Sequence, residues 1–231
     1  MTCWTPVLGK RIRVIQLDGC GNLPATGAGG TDKVAVSDGF ISVQLSSQVE
    51  DGAEIITKKA DGSLCVNEML SSSFKRFTLE IEFCGVDPGL LSVVSNAEVY
   101  EDYATDPAGF VVPEGKMDKK FSFELWTGLS GEACAPGVQE ASAMMVLPFV
   151  EGGVLGDLTV DGENAVSFTM TGAFTRGGNQ WGKGPYKTVL NGSNVAAVLP
   201  TALDPLDHLL MVKTGVAPPA SACGLQDYAP A

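Results

Sequence analysis

The chain has 231 residues, 45% of them hydrophobic and 18% charged, which is enough to bury one sizeable core. Its 27 acidic and 15 basic residues give a formal net charge of -12, which opposes binding to nucleic-acid phosphates or to an anionic membrane. The longest apolar run, residues 143–150, is interrupted by Pro148 and falls short of the roughly 18 residues that a membrane-spanning helix needs, so we expect no membrane partner.

Alternation of apolar and polar side chains with a period of two predicts antiparallel strands along the chain. Residues 11–17 form the first candidate. In residues 40–50, apolar positions alternate with Ser, Gln and Glu, which predicts one face on the core and one face in water. The Asp51-Gly52 pair then predicts a hairpin turn into a strand at residues 54–58, because both residue types accept positive φ.

The clearest alternation in the sequence lies at residues 76–83, and further strands are predicted at residues 121–125 and 166–174. Residues 144–150 are apolar almost without interruption, which predicts a strand that is buried on both faces. Five Asp-Gly pairs indicate turns between such segments. They begin at Asp18, Asp38, Asp51, Asp61 and Asp161.

One short helix is predicted after Asp87, which is a suitable N-cap, with Pro88 at the first helical position and an end near Asn96. About two turns are marginal alone, so we expect this helix to pack Leu91 and Val94 against a sheet. The predicted fold is therefore mainly β: an antiparallel β-sandwich with one short flanking α-helix and long loops.

Three segments predict loops: residues 19–33, 103–117 and 175–184. The last is rich in glycine and carries Trp181, for which two interpretations stay open: an exposed anchor at an interface, or a ring folded back onto its own domain. Residues 1–215 are predicted to form a single domain. Residues 216–231, rich in Pro, Ala and Gly, are predicted to form an extended C-terminal arm.

No motif for catalysis is complete in the sequence. His208 is the sole histidine, and the six cysteines are widely spaced without a C-x-x-C pair, which argues against a zinc site. Buried or half-buried thiols are expected, and the even number keeps disulfides open. The dinucleotide-binding pattern fails at Pro24, and a calcium loop starting at Asp157 fails at Phe168. We therefore expect no enzyme activity, no catalytic residue, no cofactor and no metal.

Several short segments, in order, resemble the major tail protein of long, non-contractile-tailed bacteriophages (siphophages) of actinobacteria. They are GVDPGLLSVVSN (85–96), FELWTG (123–128), the run from LPFVEGG to GAFT (147–175), NQWGKGPY (179–186), and Asp207-His208 leading into Ala217-Pro218-Pro219. The resemblance implies a β-sandwich that closes into six-membered rings, with inner strands joined across subunits into one barrel. The rings stack into a tail tube, through which the viral genome passes.

The resemblance also implies where the protein acts and what it meets. Its location would be the virion tail, and the host cytoplasm during assembly. Its partners would be further copies of itself in stacked homo-hexameric rings, a tape-measure protein, a tail terminator and tail-tip proteins. Viral DNA would pass through the bore without specific binding, because an acidic or neutral lining has no lysine clusters to hold phosphates.

The most polar strand faces predict the residues that line such a bore. They are Ser42, Gln44, Ser46, Gln48, Glu50, Thr78, Glu80 and Glu82. A similar polar face at Ser167, Thr169 and Thr171 has two possible places, the lumen or an outer sheet. Contacts between subunits are predicted at Arg176, Gln180, Trp181 and Tyr228. Ring stacking is predicted for residues 19–33, residues 175–184 or the C-terminal arm.

Two other functions remain open from the sequence. A different virion part, such as a capsid decoration or tail-completion protein, would share the sandwich and the lack of catalytic groups. A carbohydrate-binding or hydrolytic β-sandwich would use paired carboxylates, with Trp126 or Trp181 as a platform for the sugar ring.

Overall fold

The computed structural model of the chain describes residues 5–25, 33–104, 106–129, 141–160, 166–177 and 180–230. These residues form a mainly β fold with antiparallel sheets and one short helix, as the sequence predicts. The helix, α1, spans Pro88–Val94.

Sixteen strands are found in this part of the chain. In chain order they are β1 (Pro6–Gln16), β2 (Val34–Ser37), β3 (Phe40–Glu50), β4 (Glu54–Lys58), β5 (Leu64–Met69), β6 (Ser73–Phe83), β7 (Glu98–Glu101), β8 (Pro107–Val111), β9 (Lys120–Leu129), β10 (Ser142–Glu151), β11 (Val154–Thr159), β12 (Ser167–Thr175), β13 (Val189–Leu190), β14 (Ala196–Ala197), β15 (Leu210–Thr214) and β16 (Ala222–Gln226). All strands predicted from the alternation are present, with ends that differ by a few residues.

Ten strands join into one sheet that forms two layers. We call β16-β2-β1-β9-β10-β15 the back sheet and β3-β6-β12-β11 the front sheet. They connect where the end of β10 pairs with the end of β12, through Val150 with Thr175 and Glu151 with Phe174. At the opposite side the layers touch: a Cβ built on Gly9 of β1 would lie 2.7 Å from the ring of Phe40 on β3.

The main core lies between the two layers and under α1. The back sheet supplies side chains from β1, β2, β9 and β10, and the front sheet supplies side chains from β6 and β12. The contributing residues are Ile12, Val14, Ala35, Phe121, Phe123, Met145, Leu147 and Val150 from the back sheet, and Leu79, Ile81, Phe83, Phe168, Met170 and Ala173 from the front sheet. Nearly every residue of β10 is buried, which confirms the strand that was predicted to be covered on both faces.

Helix α1 begins as predicted, because the Asp87 side chain accepts hydrogen bonds from the backbone N–H groups of Gly89 (3.0 Å) and Leu90 (3.2 Å). Leu91 and Val94 are buried in the main core, so the expected packing of this helix on a sheet is confirmed. The Asp87 carboxylate also accepts from the N–H of Gly224 (3.2 Å), which fixes β16 beside the helix.

The outer face of the back sheet carries a second apolar cluster, to which residues 180–230 contribute; we call this segment the C-terminal cover. Ile15, Val36 and Met144 from the sheet contact Trp181 and Tyr228 from this cover. The segment predicted as an extended arm therefore lies on its own chain, with residues 222–226 paired to β2 as strand β16. The Pro and Ala content of this segment gave no sign that the short stretch ACGLQ forms a strand, which here makes one edge of the back sheet.

The Asp-Gly prediction is correct at some pairs and wrong at others. Asp18 begins a local turn in the long connection from β1 to β2, with its carbonyl accepting from the Gly21 N–H (3.0 Å). Asp61 lies in the turn of the β4–β5 hairpin, where its carboxylate accepts from the Ser63 N–H (2.9 Å). Asp38 and Asp51 instead connect strands that do not pair with each other. The Asp161 pair lies outside the described residues.

The predicted turn at Asp51-Gly52 is wrong because β3 continues into β4 along one side of a long two-stranded ribbon. The returning side is β5 followed by β6. At Gly52 the two sides come so close that an added Cβ would lie 1.8 Å from the carbonyl oxygen of Leu70. The glycine is needed for this approach rather than for a reversal of the chain.

The predicted loops also need correction. Residues 107–111 form β8, which pairs with β7 to make a separate hairpin, because Phe110 can then pack against the main core. The segment 19–33 is described only to residue 25 and at residue 33. Residues 176–177 and 180–184 carry no strand or helix, which agrees with the loop predicted there.

A buried ion pair ties β1 to β9 below the C-terminal cover. The Arg13 guanidinium donates from Nε (2.8 Å) and Nη2 (2.6 Å) to Oε2 of Glu124. The same guanidinium lies 3.7 Å from the centre of the Tyr186 ring. Burial raises the pKa of Tyr186 to about 12, so this ring stays neutral beside the pair at physiological pH.

We expect Glu124→Ala to lower the free energy of unfolding by about 3 to 5 kcal/mol, because it leaves the Arg13 charge buried without a partner. Urea unfolding measures this loss. Glu50→Ala is the matched control, since Glu50 pairs with Lys75 at 3.5 Å on the surface and its removal should cost less than about 1 kcal/mol. Equal losses in the two variants would contradict a structural role for the buried pair.

Candidate assembly surface

The outer face of the front sheet is polar along β3 and β6. Ser42 lies opposite Glu82, Gln44 opposite Glu80, and Ser46 opposite Thr78. Residues that face each other in an antiparallel pair project to the same side of the sheet. The residues predicted to line a bore on β3 and β6 therefore share one face, and the apolar residues between them, such as Leu79 and Ile81, point into the core.

Hydrogen bonds from side chains on this polar face connect β3 and β6. Ser42 Oγ donates to Glu82 Oε2 (3.3 Å), and Thr78 Oγ1 donates to the carbonyl of Ser46 (3.2 Å). Further along, Arg76 Nε donates to Gln48 Oε1 at 2.6 Å. Some of the polar groups on this surface are thus hydrogen-bonded within the chain, and the others face water.

The last predicted lining residue, Glu50, lies at the end of β3. It is opposite Ser73, past a register shift, and its carboxylate is 3.5 Å from the Lys75 ammonium. Glu80 and Glu82 outnumber the single base Arg76 over the rest of the β3–β6 face. The face is therefore acidic, without the clustered lysines that bind phosphates.

The polar face continues onto β12. Thr169 lies opposite Glu82, so it projects to the same side as the β3–β6 residues. Ser167 and Thr171 are two positions away in the same strand and follow the same alternation. These three residues therefore share a sheet and a face with the polar residues of β3 and β6 and do not belong to a separate sheet.

Both edges of the front sheet are free in the described part of the chain. There β3 pairs only with β6, and β11 pairs only with β12. Strand β3 is 11 residues long, well above the short strands that proteins usually leave at an edge. Apolar side chains are also exposed on these strands, with Ile41 on β3 at 54% and Leu158 on β11 at 59%.

The residues predicted to contact other subunits have different environments. Trp181 and Tyr228 are only 4% and 8% exposed, because they cover the outer face of the back sheet, so little of either side chain is left at the surface to contact another subunit. Trp181 therefore follows the interpretation of a ring folded back onto its domain. Arg176 pairs with Glu151, and Gln180 is exposed.

His208 packs at the base of the β3–β6 ribbon. Its Nδ1 lies 2.7 Å from Thr175 Oγ1, and its ring meets the Phe74 ring edge-on with 5.2 Å between the ring centres. Burial lowers the pKa of His208, so the neutral imidazole is the favoured form in the folded chain. These contacts describe a histidine that supports packing.

The cysteines differ from the expectation of buried or half-buried thiols. Cys20, Cys65, Cys84 and Cys223 are free and exposed, because they lie in a turn, on a protruding hairpin, just after β6 and on an edge strand. Cys3 and Cys134 lie outside the described residues. Period-two patterning indicates which face a residue occupies but not whether that part of a strand lies over the core.

Comparisons with known proteins add no relative. No family model matches the sequence, and no curated protein matches it at a significant level. Within the described ranges, no group of three or more His, Cys, Asp or Glu side chains is arranged to hold a metal ion. No helix in those ranges combines the length and apolar character required to cross a membrane.

Proposed function

We propose that this chain is the tail tube subunit of a long, non-contractile-tailed bacteriophage, a structural virion protein that polymerises as stacked hexameric rings. The front sheet carries this proposal: four strands with one polar and one apolar face, and a free strand on each edge. A sheet of this kind buries its apolar face in its own chain and leaves backbone groups at both edges for neighbouring copies.

The strand directions permit a continuous junction between copies. Along the front sheet β3, β6, β12 and β11 alternate in direction, because every neighbouring pair is antiparallel. Rotation about an axis along the strands brings β11 of one copy beside β3 of the next in antiparallel orientation. Each copy added in this way extends the same ladder, and closure of the ring removes all free edges.

The dimensions of such a ring suit a DNA channel. Six copies of the front sheet would give about 24 strands, and with a spacing of ~4.8 Å and a tilt of ~40° the backbone barrel has a radius of roughly 25 Å. A bore of this size admits a DNA duplex after side chains are subtracted. The acidic face at Glu80 and Glu82 would line it and would let phosphates slide past without forming ion pairs.

The resemblance to siphophage major tail proteins agrees with this architecture. One resembling segment, residues 85–96, contains the capped helix, and another, residues 147–175, runs through the junction of the two sheets. Both segments are therefore at places that define the sandwich. Family membership would add a tape-measure protein, a tail terminator and tail-tip proteins as partners, with the assembled protein located in the virion tail.

The alternatives have less support. A carbohydrate-binding sandwich that used Trp126 or Trp181 as its platform would need that ring exposed, yet both rings are buried. Another virion part, such as a capsid decoration or tail-completion protein, would share the sandwich but would not need two free edges that match each other in direction. Electron microscopy separates it from the tube, because isolated rings or trimers would form instead of long rods.

We expect the purified chain to form hollow rods at high concentration, as seen by negative-stain electron microscopy. Leu158→Lys should raise the concentration needed for rods at least about tenfold, since burying a new charge at the β11 edge costs more than about 1.4 kcal/mol. Leu206→Lys is the matched control: Leu206 is 75% exposed, lies outside the front sheet, and should tolerate lysine without effect on rods.

Circular dichroism and urea unfolding should show that both lysine variants fold normally, because both leucines are exposed in the single chain. A monomer that forms no rods at any concentration would contradict the proposed function. Equal assembly by the two variants would contradict the use of the β11 edge.

A second prediction concerns the lining. We combine Glu80→Lys with Glu82→Lys and let the protein assemble with short DNA duplexes. The rods should then protect DNA from nuclease, because lysine side chains would surround the bore. Protection should fall steeply as the salt concentration rises.

The matched control combines Glu98→Lys with Glu101→Lys on the separate β7–β8 hairpin. It makes the same charge change and should protect no more DNA than wild-type rods. Protection in neither variant would contradict the placement of the front-sheet face in the bore.

A further inference from the structure

The β4–β5 hairpin protrudes from the body of the molecule. We call residues 51–72, which comprise this hairpin and its flanks, the arm. Every residue of β4 and β5 is exposed, and the two strands form a sheet of their own. The arm prolongs the β3–β6 ribbon, so it continues in the direction of the strands that face the proposed bore.

The arm carries an unusual number of exposed apolar side chains. They are Ile55, Ile56, Leu64, Val66, Met69 and Leu70, each between 41% and 73% exposed. Ile55 projects to one side with its partner Glu68, while Ile56 projects to the other with Asn67. A two-stranded hairpin without further packing is marginally stable in water. These side chains therefore indicate a surface that packs against a partner.

The C-terminal cover contains an open apolar groove of about 750 Å³. Aliphatic side chains from β13, β15 and the segment between β14 and β15 form most of its wall. They include Val189, Leu190, Leu199, Leu203, Leu210 and Val212. Lys183 is the single charged residue that lines it. The described residues of the same chain leave this groove open.

The net charges of the arm and of the segment that forms much of the groove are opposite. Within residues 51–70 the arm has four acids, Asp51, Glu54, Asp61 and Glu68, and two bases, Lys58 and Lys59. Residues 180–203, which form much of the groove, contain Lys183 and Lys187 and no Asp or Glu. The arm and the groove thus complement each other both in apolar surface and in net charge.

We infer that the arm of one copy packs into this groove on a second copy. The inference rests on the proposed function and names the contact that joins one ring to the next, because an arm along the strand direction projects past the rim of its own ring. Two different surfaces meet, so every copy offers one arm and one groove. Repetition of a contact of this type gives an open stack rather than a closed dimer.

The native Cys65 on the arm provides a direct test. Ala202 is exposed and lines the groove, so Ala202→Cys places a thiol there without disturbing the core. Mild oxidation of the assembled variant should give a ladder of covalent dimers, trimers and higher species on a non-reducing gel. The ladder should vanish in Ala202→Cys with Cys65→Ser. Ala220→Cys is the matched control, because Ala220 is exposed but does not line the groove.

A second variant does not depend on thiol geometry. Replacement of residues 54–69 by Asn-Gly shortens the arm at the point where Leu70 N–H already donates to the Ala53 carbonyl (3.0 Å). The urea midpoint should stay close to that of the intact chain, since β4 and β5 pair only with each other. Electron microscopy should show that long rods are lost.

The outcomes separate this inference from the proposed function. Rods with no Cys65-dependent ladder, and with normal assembly of the shortened chain, would keep the tube and overturn the arm contact. A fast-migrating monomer of Ala202→Cys, with an internal disulfide between Cys65 and the thiol introduced in the groove, would show that the arm folds into its own groove, which also overturns the inference. Ladders from a protein that never forms rods would support the arm contact and contradict the tube.

Discussion

The backbone hydrogen bonds that β3 and β11 leave unmade at the edges of the front sheet are the constraint on which the account depends. An 11-residue strand with a free edge attracts further strands; β3 contains no proline, and no helix or second strand of the described residues pairs along this edge. Because the two edges match in direction, a copy of the same chain could satisfy both, as the proposed ring requires. The polar outer face suits the proposed ring, in which one side of the sheet would border enclosed water.

The rest of the fold holds the front sheet in place. The main core packs its inner face against the back sheet, and the short junction between β10 and β12 joins the two layers. Asp87 caps the helix and at the same time accepts from Gly224, so the C-terminal strand and the helix are fixed by one carboxylate. The C-terminal cover shields the other side of the back sheet, which leaves the front sheet as the extensive polar face with open edges.

Local patterns predicted a large part of this structure. Period-two alternation located β3, β6 and β12, and the Asp87-Pro88 pair located the helix, because these signals depend on neighbours in sequence. Apart from Glu50, which lies past a register shift, the predicted lining residues on β3 and β6 also share one face, since alternation fixes the side of a strand to which each residue points. The fold class followed from the same pattern.

Features that depend on distant parts of the chain were missed. Asp51-Gly52 has the composition of a turn, but its glycine serves the close approach of Leu70, which no local signal reveals. Trp181 and Tyr228 lie in segments with loop composition and are buried because the back sheet has a second apolar face. The exposure of Cys65 and of the aliphatic residues on the arm reflects the length of the ribbon beyond the core, which alternation alone does not determine.

The central claim is that β3 and β11 pair between copies, and amide hydrogen exchange measured on dilute and assembled protein tests it most directly. Peptides from β3 and β11 should exchange slowly only after assembly, because their edge amides then form hydrogen bonds, while peptides from β10 should be protected in both states. Unchanged exchange at β3 and β11 in assembled particles would show that the front-sheet edges stay free and would contradict the account.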